Sequence, residues 1–241
     1  MMRLQFHFLI IRISLAFLLL SGILLTGAFL YASRFWEGMG VLDARRAEGA
    51  REYAEEAIAV GKFVLVATGL FLNLHCFLGN NGRYAAFFVA GPADRIRFLS
   101  GKLAMIGFLL LGMAVHAGLS FFLVARVLTP YVYSPWTTVS WFLALWGEAC
   151  LFGLLQAFLM QAADSVFSGI PPLVLFWFLA ANEAEALRAE PGLLRLLFEA
   201  VPHLVPSETG FRLLGDPLLP AACGLGLLVL NLAWYRFRDV K

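Results

Sequence analysis

Apolar runs at residues 13–33, 63–79, 103–125, 138–161, 166–181 and 218–234 occupy much of this chain, and none of them contains a lysine or an arginine. Runs of this length exceed what a water-soluble core of 241 residues can hide, and the composition, 61% hydrophobic with only 14% charged, agrees. In hydrocarbon every backbone polar group must be satisfied within the structure, so a spanning segment is a helix or a barrel strand. The runs lack the period-two alternation of barrel strands. The expectation is therefore an all-α integral membrane protein, a single domain over residues 1–241 with six transmembrane helices. The fifth and sixth runs are the shortest against the roughly 20 residues that a span needs. The fifth also carries Pro171 and Pro172 close to its start, where proline is best tolerated.

The flanking charges orient the helices. With the N-terminus inside, one side of the membrane receives Arg3, Arg12, Arg83, Arg95, Arg97, Lys102, Arg236, Arg238 and Lys241 against Asp94, Asp164 and Asp239, while the other receives nine basic and twelve acidic residues. Basic residues near span ends are retained in the cytoplasm, which predicts that both termini and the 79–102 loop are cytoplasmic and that 34–62 and 182–217 are outside. The first run follows Arg3 and Arg12 but is too long for a signal-peptide core and has no convincing cleavage site, so it reads as a retained helix. Only Glu148 falls within a run as a charged group.

The net charge of +2 is nearly balanced, and the basic residues lie at span edges rather than in a patch, so nucleic acid is not an expected partner. The three cysteines, Cys76, Cys150 and Cys223, are odd in number and lack CxxC spacing, which argues against disulfides and a zinc site. Neither Gly61-Lys62 nor Gly101-Lys102 has the upstream glycine and following Ser or Thr of a phosphate-binding loop. The chain is thus not expected to hydrolyse ATP. Its polar groups within or beside the runs are Asn73, His75, His116, Glu148, Gln156 and Asn231, with no HExxH or GxSxG motif. Most read as hydrogen-bonding contacts between helices. Glu148 differs, because an intramembrane carboxylate must be protonated, paired or wetted, and it is expected either to line a pathway or to join helices.

Three loops carry further information. In 34–62, Glu48 with Glu52 and Arg51 with Glu55 share helical faces, which predicts an exposed helix leading into the second span. The 182–217 segment mixes acids with apolar residues and is broken by Pro191, Pro202 and Pro206, which suits a helical segment that lies at the interface or re-enters it. Between Gly82 and Gly91, Tyr84, Phe87 and Phe88 make one greasy face of a short helix-compatible stretch, fit for a membrane surface or a groove on a partner.

At this loop the chain resembles the permease subunits of ABC-2-type transporters. The resemblance is carried by PADRIRFLSGK at 92–102, in which a proline and nearby arginines precede a Gly-Lys opening the third span, and by RFRDV at 236–240 after the last. It implies a six-span permease in the cytoplasmic membrane with a coupling helix in the loop before Pro92 and short extracellular helices between spans five and six. It further implies a separate ATPase partner that carries the ATP and Mg, and a second permease copy or related subunit. In this reading Arg83, Tyr84, Phe87 and Phe88, with Pro92 and Arg95, form the ATPase-coupling loop, while Glu148, with His116 and Asn73, is the candidate for pathway or gating. Where the family has an acidic residue and a Gly-Thr pair, this chain has Asn81, Gly82, Arg83 and Tyr84. Greasy spans would suit a lipid, a hydrophobic peptide or a drug-like substrate. Two alternatives stand beside this reading: a non-transporting membrane anchor or sensor subunit, and an intramembrane haem- or lipid-handling protein using His75 and His116.

Overall fold

A computed structural model describes residues 12–33, 46–77, 92–129, 132–181, 192–202, 204–207, 210–213 and 216–237. The helices, in chain order, are α1 (Arg12–Ala32), α2 (Arg46–Phe77), α3 (Pro92–Leu128), α4 (Pro135–Ala163), α5 (Pro171–Ala181), α6 (Leu193–Glu199) and α7 (Leu218–Phe237). A 3-10 turn (Val166–Gly169) lies between α4 and α5, and strands β1 (Leu204–Ser207) and β2 (Gly210–Leu213) lie between α6 and α7. Among the described residues five helices, α1, α2, α3, α4 and α7, are long and apolar enough to cross a membrane. The protein is a multi-pass membrane protein.

The local sequence explains where these helices start and stop. α3 and α4 each begin on a proline, a residue whose fixed φ suits the first helical position and whose missing N–H costs nothing there. Asp94 in the first turn of α3 and Arg126 in its last complement the helix dipole. α4 ends where Asp164 turns left-handed, with φ of 51°, and Ser165 then accepts a hydrogen bond from the Phe167 N–H. α2 runs straight through the charged stretch expected as an exposed helix, with the expected Arg51–Glu55 pair at 2.7 Å. That stretch is not merely solvated, however, because Tyr53, Ala54, Ala57 and Ile58 are buried.

α4 is the central helix: it packs on α2, α3, α5, α7, the 3-10 turn and both strands. Opposite ends of the bundle differ in what fills them. At the end where α1 finishes, Phe121 of α3 is the hub of an aromatic cluster, with ring centroids 5.0 Å from Tyr53 and Tyr133, 5.8 Å from Phe142 and 6.1 Å from Phe29 and Trp141. The polar tips are satisfied, since the Tyr53 hydroxyl donates to the Phe121 carbonyl and that of Tyr133 to the Ala50 carbonyl. These contacts tie the first turns of α2, well before its expected start, to α3 and α4.

The expected fifth span is met only in part. Among the described residues, 166–181 form not one continuous helix but a 3-10 turn followed by α5, which is shorter there than the five membrane-length helices. The reason lies in Pro171 and Pro172, which cannot extend a helix backwards through their missing N–H groups. The turn ends beside Gln156, whose side chain donates to the Gly169 carbonyl, and α5 has climbed to Phe152 by Phe176, at a ring distance of 5.5 Å.

The segment after α5 departs from the helical expectation as well. α6 is a short helix, but 204–213 is an antiparallel ribbon with Leu204 opposite Leu213 and Val205 opposite Arg212. Pro202 and Pro206 oppose a continued helix, and Val205 and Phe211 favour strands. An exposed strand edge is not tolerated in lipid, so the ribbon needs protein cover. α4 supplies it: Trp141 is buried against Phe211, its ring 5.3 Å away, and donates its indole N–H to the Phe211 carbonyl at 3.0 Å.

Candidate functional site

Glu148 sits on α4 with 1% of its surface exposed, and its carboxylate lies 3.4 Å from the ammonium of Lys62 on α2. The sequence expectation placed Lys62 in an outer loop, ahead of a span starting at 63, and left Glu148 as the only charged group inside a span. The structure corrects both. α2 begins many residues earlier than the apolar run, so Lys62 is an interior residue, 9% exposed, and the side expected to face outwards keeps eight basic residues against twelve acidic ones.

The depth of the pair follows from its neighbours. Thr68 of α2 donates to Ser21 near the middle of α1, and Gly61 lies against Leu145 and Phe142 of α4. At 1.5 Å per residue, Lys62 stands ~9 Å further along α2 than Thr68, still within the length of α1. The pair therefore lies inside the hydrocarbon region, where two charges persist only if they satisfy one another or reach water. Each partner follows a glycine. Without a side chain at Gly61, Leu145 closes to 3.4 Å of where a Cβ would stand, and at Gly147 Pro202 does the same, also at 3.4 Å. Through this second contact Pro202, in the segment between α5 and α7, packs on α4 beside the ion pair.

Below the pair, towards the end where α1 begins, further polar groups follow. Asn73 donates to the Gly153 carbonyl at 3.0 Å, Gln156 to that of Gly169, and Gln161 to Asn231 Oδ1 at 2.8 Å, while Asn231 donates to the carbonyls of Leu154 and Leu227. All four side chains are buried. Asn73, expected as a pathway or gating candidate, thus joins α2 to α4. The fit is close, because a Cβ added at Gly153 would stand 2.7 Å from Asn73 Nδ2. Gly153→Ala is expected to destabilise the bundle by about 1–3 kcal/mol, read as a lower melting temperature in detergent, whereas Gly107→Ala, at a position with open space, should leave it unchanged.

Compared with known protein families, with curated proteins and with solved structures, the chain matches none. What it does must be argued from its own geometry.

The remaining predicted residues fall as follows. Arg83, Tyr84, Phe87 and Phe88 lie outside the described residues. Pro92 is the first residue of α3, and Arg95, in its first turn, is half-buried. His116, the other gating candidate, is on the perimeter of the bundle rather than beside Glu148: its Nε2 lies 3.2 Å from both the Gly22 carbonyl and the Thr26 hydroxyl of α1. His75 stacks on Phe71, whose ring stacks in turn on Phe17 near the start of α1. The two histidines therefore sit at different depths and are not brought together as a ligand pair. Among the described residues no three His, Cys, Asp or Glu side chains converge.

Two polar groups were missed from the sequence. Gln161 pairs with Asn231 as described, and Lys102 donates to the Cys76 carbonyl at 3.0 Å with its ammonium 4.6 Å from the Phe98 ring centroid and 5.2 Å from that of Phe77. Lys62 had a signal. A lone carboxylate within a span demands a cation, and Gly61-Lys62 beside an apolar run mirrors Gly147-Glu148 in pattern.

Proposed function

We propose that this chain is the membrane-spanning permease subunit of an ATP-binding-cassette exporter of the ABC-2 type, resident in the cytoplasmic membrane and powered by a separate ATPase. The observation that carries a transport role is the Lys62–Glu148 pair at 3.4 Å in the middle of the bundle, with Pro202 of a re-entrant segment packed on the adjoining Gly147. Charged groups held inside a membrane bundle mark pathways for ions or substrates, and broken backbone at that depth belongs where it is packed on protein or lines a cavity. An ATPase partner is supported by the PADRIRFLSGK stretch that opens α3 and by the aromatic face of the loop before it. Two permease chains complete the pathway, each with its own attached ATPase. ATP-driven closure of the ATPases rocks the helices through the 79–102 loop, and Lys62 and Glu148 sit where α2 and α4 would part or close.

Co-expression with cassette ATPases from the same genome tests the partner. Replacing both Phe87 and Phe88 by alanine removes two large apolar anchors, each worth about 2 kcal/mol at a packed interface. ATPase recovery with the affinity-purified chain is expected to fall at least ~10-fold while membrane insertion is unchanged. Equal recovery with the double variant rejects the loop as the docking site, and no ATPase with the unmutated chain favours the anchor-subunit alternative.

A further inference from the structure

Between α3 and α4 the perimeter of the bundle opens into a groove of about 300 Å³. Ala114 and Phe142, both buried, form its floor, and Val115, Leu119, Val139 and Leu143, each about half-exposed, form its rims. Gly118 brings α3 down onto that floor, the Phe142 ring lying 3.4 Å from where a Cβ would stand. The one polar side chain that lines the groove, Thr138, spends its hydroxyl on the Ser134 carbonyl at 3.1 Å, so a ligand is offered no hydrogen bond. An apolar cavity of ~150 Å³ stays dry and takes up benzene, and this one is about twice that size. It follows α3 from Leu111 to Phe122, ~17 Å at 1.5 Å per residue, along two helices of membrane-crossing length. A dry, elongated slot that opens sideways into hydrocarbon is filled by an acyl chain, the solvent at that depth.

Charge at the mouth of the groove identifies the rest of the molecule. The α3 ridge of Val115, Leu119 and Phe122 continues at helical spacing to Arg126 in the last turn. Helical side chains lean towards the N-terminus of their helix, so Arg126 covers the turn that holds Phe122. Arg126 is exposed, and among the described residues it has no hydrogen bond or ion pair. Across the mouth Pro135 is followed by Trp136, 83% exposed, a residue type that sits at the headgroup level of a bilayer. We propose that the α3–α4 groove is a binding site for one anionic phospholipid, with an acyl chain in the slot and its phosphate on Arg126. Net negative charge matters because a zwitterionic headgroup carries its own cation, which competes with the guanidinium for the phosphate. The site goes beyond the permease reading and does not depend on it.

The test uses the purified full chain in phosphatidylcholine vesicles that contain a trace of phosphatidylglycerol with a diazirine in one acyl chain. Illumination and peptide mass spectrometry are expected to place the label on residues 111–122 and 135–143, and the same label carried on phosphatidylcholine should reach them less. Arg126→Gln, at an exposed position where the melting temperature should not change, is expected to lower groove labelling by phosphatidylglycerol about fivefold, the equivalent of the ~1 kcal/mol that one basic residue contributes at an anionic surface. Arg126→Lys should retain most of the labelling. Val139→Trp, which fills the groove and keeps Arg126, should lower labelling there by both lipids, and Arg236→Gln, where α7 finishes at the other end of the bundle, should change nothing. An unlabelled groove, labelling spread evenly over the exposed helix faces, equal labelling by the two lipids, or an undiminished yield in Arg126→Gln would each overturn the proposal.

Discussion

Removing either member of the Lys62–Glu148 pair should cost far more than removing both. Glu148→Leu leaves an ammonium, and Lys62→Met a carboxylate, with no opposite charge 3.4 Å away inside the bundle. Breaking a buried pair from one side costs about 3–5 kcal/mol, whereas replacing both partners with apolar residues of similar volume is often neutral or stabilising. Thermal unfolding in detergent of the two single variants and the double variant closes a cycle whose coupling should exceed ~2 kcal/mol. Singles that lose little and add up in the double would mean that water, not the partner, solvates each charge. Transport separates stability from function. Glu148→Gln keeps shape and hydrogen-bonding capacity but no charge, and it is expected to leave the assembly intact while changing ATP-coupled transport. The double apolar variant should fold well and fail to transport; normal transport by both would remove the pair from the pathway.

A loss of similar size is expected at Trp141, where the effect should be graded. This side chain, 2% exposed, fastens the ribbon to α4 through its indole N–H and meets the Phe121, Tyr133 and Phe211 rings edge-on. Trp141→Ala removes both packing and hydrogen bond and should cost about 3–5 kcal/mol. Trp141→Phe keeps most of the packing and leaves the Phe211 carbonyl unserved, a loss nearer 1–3 kcal/mol. The ribbon should respond more than the bundle does: a reporter cysteine introduced at Leu213 should gain reactivity towards a thiol reagent in Trp141→Ala well before the helices melt. Unchanged reactivity would show that Pro202 and α6, rather than Trp141, hold the ribbon in place.

The legible part of this protein was the part set by sums over neighbours along the chain. Hydropathy adds locally, so the runs that became α1, α4 and α7 could be read with their limits nearly right, while α3 begins 11 residues ahead of its run, at Pro92. The Arg51–Glu55 pair was readable for the same reason, being set by the pitch of one helix. The fifth run read as one continuous helix because apolar content is blind to backbone breaks; two prolines divide it into a 3-10 turn and a helix.

The rest was decided by contacts between segments remote in sequence. Lys62 looked like a loop residue because hydropathy penalises its charge at once, whereas the compensation comes from Glu148 on another helix. His116 and Asn73 looked alike as polar residues in spans, yet packing turned one inwards, onto the Gly153 carbonyl, and left the other on the perimeter. The ribbon at 204–213 exists because α4 covers its edge and donates to its carbonyl, and nothing within those residues shows that α4 is there. By itself the sequence determined that this chain lives in a membrane and where the apolar part of most of its helices lies, since lipid solvation acts residue by residue. Only the tertiary structure decided which charges pair, which polar groups face inwards and how the ribbon packs on α4, because each is settled by a partner that the chain brings near only when it folds.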